Sequence, residues 1–128
     1  MRSVLEGVAF ALADAAEAIR SAGTTVDRLT VIGGGSRSRF WGTILAAAIG
    51  AQLEFRAGSD VGPALGAARL ARLAVDGEPA ETAAPPAELL DEIEPDPQLG
   101  AQLFPRLGTY RALYPALLAA RPSPELHP

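Results

Sequence analysis

The chain contains no cysteine and no lysine, and only one histidine, one methionine and one tryptophan. Without cysteine it has no disulfide framework and no thiolate metal site. Without lysine it cannot form the phosphate-binding loop that ends in Gly-Lys-Ser/Thr, because that loop needs an ammonium group on the phosphates. The one histidine, His127, lies a residue from the C-terminus, where a frayed end is the expected state. Long apolar runs are missing too. None approaches the roughly 18 residues of a membrane span, and the N-terminus has no signal-peptide cleavage pattern. These absences point to a cytoplasmic protein with no membrane partner.

What is present suits one small folded unit. The 128 residues are 48% hydrophobic, enough apolar material for a core. The net charge of -4 is unevenly spread. Seven acids and no base fall in residues 78–98, while the other eight acids face eleven arginines. That surplus is far from the dense basic stripe of a nucleic-acid binder.

Periodicity divides the chain. Leu5, Val8, Leu12, Ala15 and Ile19 recur at three- and four-residue steps, predicting an amphipathic helix over 2–21 that Gly23 stops. Leu29 to Ile32 reads as a buried strand, followed by Gly33, Gly34 and Gly35. A second helix is predicted from Ser38 to Ile49, with Phe40, Trp41, Ile44, Leu45, Ala48 and Ile49 on one face. Gln52 to Phe55 alternates as a half-buried strand does. A third helix opens near Asp60, takes Pro63 in its first turn and runs to about Val75. Residues 77–98 read as an acidic, proline-rich surface linker with a short helix near 86–93. A last amphipathic segment over 99–121 carries Leu103, Phe104, Leu107, Tyr110, Leu113, Tyr114 and Leu117. Strand–helix–strand at this spacing implies a right-handed crossover between parallel strands, yet two strands are too few for a buried parallel sheet.

Candidate chemistry concentrates in Val31-Ile32-Gly33-Gly34-Gly35-Ser36-Arg37-Ser38. Glycines let backbone lie against a ligand, and the following helix start offers N–H groups to a phosphate or a base edge. Ser36 and Ser38 can cap that helix or donate to the ligand. A purely structural turn is the competing reading of such a loop. Gly33 and Gly35 also match the start of a dinucleotide fingerprint, with Glu54 near the expected ribose-binding position. However, its third glycine is replaced by Ser38, and Glu54 is not clearly at a strand tip. Asp14, Asp27, Asp60 and Asp76 read as solvated or capping acids, and Arg37 and Arg39 as solvated arginines that can approach phosphates. Core or tail-docking roles are expected for Phe40, Trp41, Tyr110 and Tyr114.

The stretch VIGGGSRSRFWGTILAAAIGAQLEFRAGSDVGPALGAARLA, residues 31–71, resembles the C-terminal half of the FGGY carbohydrate kinases. Residues 58–71, GSDVGPALGAARLA, are most similar to the xylulokinases of that family. RSVLEGVAFAL, residues 2–12, and YRALYPAL, residues 110–117, resemble the helices on either side, so the likeness runs along nearly the whole chain in order. One departure is Ala46-Ala47-Ala48, where family members commonly carry an acid near Ala47.

The resemblance implies an α/β fold, a partial RNase H-like (actin-type ATPase) domain ordered helix–strand–helix–strand–helix with a C-terminal helical tail. It implies a nucleotide-binding lobe over residues 1–77, the linker over 78–98 and the tail over 99–128. Adenosine would meet Gly33, Gly34, Gly35, Ser36 and Ser38, with ATP and, in the complete enzyme, Mg²⁺ as cofactors. The catalytic aspartate and the sugar-binding domain lie well before this region in the family. The chain is therefore expected to be inactive alone, whether as a truncated product, a split subunit or an excised segment. Its expected partners are ATP or ADP, the missing N-terminal kinase half and a second copy of itself, with the Leu29–Ile32 edge or a helix face at the dimer interface. A noncatalytic oligomerising scaffold and a small dinucleotide-binding module are the rival readings.

Overall fold

A computed structural model describes residues 2–77 and 79–120, with the side chain of Asp60 outside the description. The chain runs α1 (Arg2–Ser21), β1 (Arg28–Thr30), α2 (Arg39–Ile49), β2 (Gln52–Arg56), α3 (Gly62–Asp76), α4 (Ala80–Ala83), β3 (Leu89–Ile93) and α5 (Pro97–Ala119). Short 3-10 turns at Gly34–Arg37 and Ser59–Val61 precede α2 and α3. Among the described residues the strands form one sheet in the order β1-β2-β3. β1 and β2 are parallel, with Leu29 opposite Leu53 and Thr30 opposite Glu54, as a crossover through α2 requires. The first strand starts one residue and ends two residues earlier than the apolar run Leu29 to Ile32, although the Val31 N–H still donates to the Glu54 carbonyl at 3.0 Å.

The connector is where the sequence misleads. No helix forms over 86–93; Leu89–Ile93 is a strand antiparallel to β2, pairing Leu53 with Ile93 and Phe55 with Asp91. Its acids sit on an edge strand, where charge is tolerated and discourages further pairing. Ile93 is buried, and with Phe55 it covers Gly42 of α2, where an added Cβ would stand 2.8 Å from the Ile93 side chain.

Helices α1, α2 and α5 cover one face of the sheet around Phe10, Ile44, Leu45, Leu53, Phe55, Leu103 and Leu107. α1 spans 2–21 as its periodicity predicts, but the face it buries is different. Glu6, Ala9, Phe10, Ala13 and Ala16 are buried, whereas Val8, Leu12 and Ile19 of the larger stripe are exposed. Small side chains let helices approach closely, so the alanine face meets α2 and the bulky stripe is left outside. At the end of α1, the Arg20 guanidinium donates to the carbonyls of Ile49 at 3.0 Å and Val26 at 2.9 Å. This braces α1 against the end of α2.

α5 is held by charge as well as by Leu103 and Leu107. Arg106 donates to Glu6, Arg111 donates to Asp14 at 2.6 Å, and the rings of Phe10 and Tyr110 meet with centroids 5.7 Å apart. Asp96 starts the helix by accepting from the N–H groups of Gln98 and Leu99. Phe104, Leu113, Tyr114 and Leu117, expected on the buried side, are exposed, and α5 carries Pro105 and Pro115 within it. The tail beyond Ala120, including Arg121 and His127, lies outside the described residues. α3 rests beside Ile32 and Gly58 by way of its Gly62 and Leu65, with a half-buried face, and none of its described side chains is fully buried.

Candidate functional site

The glycine loop joins β1 to α2. Gly33 has φ 82°, the left-handed region where a side chain is strained, so the turn out of the strand needs glycine there. Its N–H donates to the Ser59 carbonyl at 2.7 Å, tying the loop to the turn before α3. Its carbonyl accepts from the backbone N–H and the hydroxyl of Ser36, at 3.0 and 2.7 Å.

The three glycines are glycine for three different reasons. Gly33 is set by its dihedral. Gly35 lies under the indole of Trp41, so a Cβ would stand 2.8 Å from the ring. Gly34 has neither constraint: its φ is not positive, and a Cβ would meet nothing within 4 Å. It is exposed, on the outer side of the loop. The protein's own packing gives no reason for glycine at Gly34, as is also true of Gly7, Gly66 and Gly108.

Ser38 is the N-cap of α2, its side-chain oxygen accepting from the Trp41 N–H at 3.3 Å. Both site serines therefore make local bonds that hold the loop in shape. Arg39 pairs with Asp91 of β3, which joins the start of α2 to the edge of the sheet. Trp41 is half-buried against Gly35, but Phe40 is exposed rather than in the core, and so is Tyr114. Ser59 was not singled out by sequence reasoning. The turn residues Gly58 and Ser59 were its only signal, and pairing its carbonyl with Gly33 required the fold.

Glu54 does not suit a ribose. It is buried in the middle of β2, where Arg56 donates to it at 3.0 and 2.8 Å and Arg28 lies 3.7 Å away. Asp14 is bound to Arg111, and Asp76 lies 4.0 Å from Arg72. Among the described residues no three acidic or histidine side chains gather in a way that could hold a metal. No described helix is long and apolar enough to cross a membrane. Ala46 and Ala47 are buried, and the Ala47 carbonyl lies 3.3 Å from where a Cβ on Gly100 of α5 would stand.

A parallel strand–loop–helix–strand unit, helices over one face and a glycine turn opening the second helix mark this as part of an actin-like ATPase fold. Residues 1–75 match the C-terminal domain of the FGGY family of carbohydrate kinases. The chain belongs to that family. It is 46% identical over 118 residues to the xylulose kinase of Escherichia coli, covering 91% of this chain and 24% of that one. A Klebsiella pneumoniae xylulose kinase is 52% identical over 77 residues, 60% of this chain and 16% of its own length. The crystal structure of a Brucella ovis kinase described as a xyloylose kinase superposes with a TM-score of 0.77 at 42% identity, over 92% of this chain and 24% of that one. A ligand-bound xylulose kinase from Lactobacillus acidophilus shares the fold, with a TM-score of 0.75 at 24% identity, again over 92% of this chain and 24% of its own. The chain thus spans about a quarter of the length of these full-length matches.

Proposed function

We propose that this chain is the ATP-binding C-terminal portion of a xylulokinase-type sugar kinase. The complete enzyme would transfer the terminal phosphoryl group of ATP to D-xylulose, giving ADP and xylulose 5-phosphate, in the cytoplasm. The observation that carries the nucleotide assignment is Gly34, a glycine that neither dihedral nor packing demands, on the exposed side of the loop that opens α2. Gly33 and Gly35 shape that loop, and Ser36 and Ser38 hold it for the adenosine half of ATP.

Phosphoryl transfer depends on positioning and charge neutralisation, so base, metal and both phosphate clamps must act together. The described acids are tied to arginines or scattered, and none gathers as a Mg²⁺ site. On this reading the catalytic base and the sugar-binding domain lie in the rest of the enzyme, and the chain alone is inactive. Without the rest, it pairs with a second copy of itself.

Calorimetric titration with ATP, ADP and NAD tests this reading. Binding of ATP and ADP that depends on Gly34, with no preference for NAD, is the expected result. No nucleotide binding by the folded chain would favour a scaffold role, and xylulose-dependent ATP consumption by the chain alone would overturn its inactivity.

A further inference from the structure

Between α3 and the ends of β1 and β2 lies a cavity of about 210 Å³ that neither the hydrophobic core nor the glycine loop accounts for. Thr30 and Arg56, the last residues of the two strands, form one wall, and Gly62, Gly66 and Arg69 of α3 form the other. Ser59 lies at the turn between them. The described lining residues include two arginines and no acid. At about 30 Å³ for each water, the space takes a tetrahedral oxyanion and several waters with it.

The two arginines differ in what they hold. The Arg56 guanidinium donates to Glu54 at 3.0 and 2.8 Å and to the Ala87 carbonyl at 2.8 Å, which fixes its plane and leaves N–H groups to spare. Glu54 also has Arg28 at 3.7 Å, so this one carboxylate faces two cations. Arg69 has nothing of the kind. It is half-buried, and among the described residues it has no carboxylate or carbonyl to donate to, whereas every other described arginine has a partner. Gly66 is three residues before it, on the same side of α3, and adds no side chain to fill the space. A guanidinium partly withdrawn from water, beside a second one with spare donors, is a surplus of positive charge in a recess. Arginine meets phosphate oxygens with paired, charge-assisted hydrogen bonds, so an oxyanion is the fitting occupant.

We propose that this cavity is an oxyanion site for a phosphate group, held by Arg69 and the remaining N–H groups of Arg56, with the Thr30 hydroxyl in its wall. The site adjoins the glycine loop, because the carbonyl of Ser59 accepts from the Gly33 N–H at 2.7 Å. The phosphate therefore has two sources: the polyphosphate of a nucleotide held by that loop, or a separate phosphate ion or ester. The proposal goes beyond the nucleotide reading and does not need it, since phosphate alone reports the site.

Calorimetric titration of the folded chain with sodium phosphate, at an ionic strength held constant with chloride, is the test. Saturable binding in about the millimolar range or tighter is expected. Arg69→Gln should weaken it by at least about tenfold without lowering the melting temperature. Gly66→Leu, a helix-forming side chain placed where a Cβ meets nothing within 4 Å, should do the same. Arg72→Gln, on the same helix but outside the cavity, should change the affinity by less than about twofold. ADP and adenosine then identify the source. Phosphate that competes with ADP, with an Arg69→Gln loss seen for ADP but not for adenosine, assigns the site to the nucleotide. Phosphate and ADP bound together assign it to a separate anion. No saturable phosphate binding by the folded parent chain, or undiminished binding by both cavity variants, overturns the proposal. Failure of the nucleotide assignment would show in ADP alone and leave the phosphate titration unchanged.

Discussion

The indole of Trp41 covers Gly35 so closely that a methyl group there would stand 2.8 Å from the ring, while Gly34 beside it faces open space. Adjacent glycines should therefore fail in different ways. Gly35→Ala should cost about 1–3 kcal/mol in urea unfolding, because a ring packed against the helix start must move. Gly34→Val should leave stability within about 1 kcal/mol and lower ADP affinity at least about tenfold. Unchanged ADP affinity in a folded Gly34→Val protein would remove the nucleotide assignment.

The buried carboxylate of Glu6 takes charged hydrogen bonds from both ends of the chain. Arg2 lies at 2.9 Å, and Arg106, a hundred residues away, grips both oxygens at 2.9 and 2.7 Å. Arg106→Ala should destabilise by about 1–3 kcal/mol, below a fully buried pair because both arginines are half-exposed and Arg2 remains. Glu6→Gln should cost less than Arg106→Ala, since it leaves no buried charge behind. Chemical denaturation of the two variants checks the order.

Ile93 tests whether the acidic connector is part of the fold. If it closes the core over Phe55 and Gly42, Ile93→Ala should cost about 1–4 kcal/mol. A loss below about 0.5 kcal/mol would mean that Leu89–Ile93 only rests on the surface.

Sedimentation of the isolated chain should show a mass above the monomer that rises with concentration, because an open strand edge beside an apolar groove seeks a partner. Ile19→Glu should shift that equilibrium toward monomer. A folded monomer at every concentration would show that water tolerates this edge.

The four long helices and the two parallel strands are legible because their signals are local: apolar steps of three and four, β-branched residues, Ser38 before α2 and Gly50 after it; the single turn of α4 is not. The third strand was not. Leu89-Leu90-Asp91-Glu92-Ile93 has no clean alternation, and only its pairing with β2 makes it extended. The buried face of α1 was misread because large side chains were weighted over alanines, although the alanines allow α2 to come close. At the site, all five loop residues are in one turn as the motif suggests, but the sequence could not show that the three glycines answer to different constraints. Nor could it foresee that Ser59, 26 positions beyond Gly33, would hold the loop through its carbonyl.

α3 has a consequence for the timing of events at this loop. A fifteen-residue helix whose packing face is only half-buried is held less firmly than α2, and such lengths are marginal in water by themselves. Its amide protons should exchange with solvent through openings of the helix alone, while those of α2 wait for the whole core to come apart. The helix begins next to Ser59, whose carbonyl anchors Gly33. Each unwinding therefore loosens the far support of the glycine loop, and if that loop holds nucleotide as proposed, part of the free energy of capture would go into keeping α3 wound. Slower exchange along α3 on addition of ADP would register that link, and would distinguish a loop that ligand steadies from one already rigid.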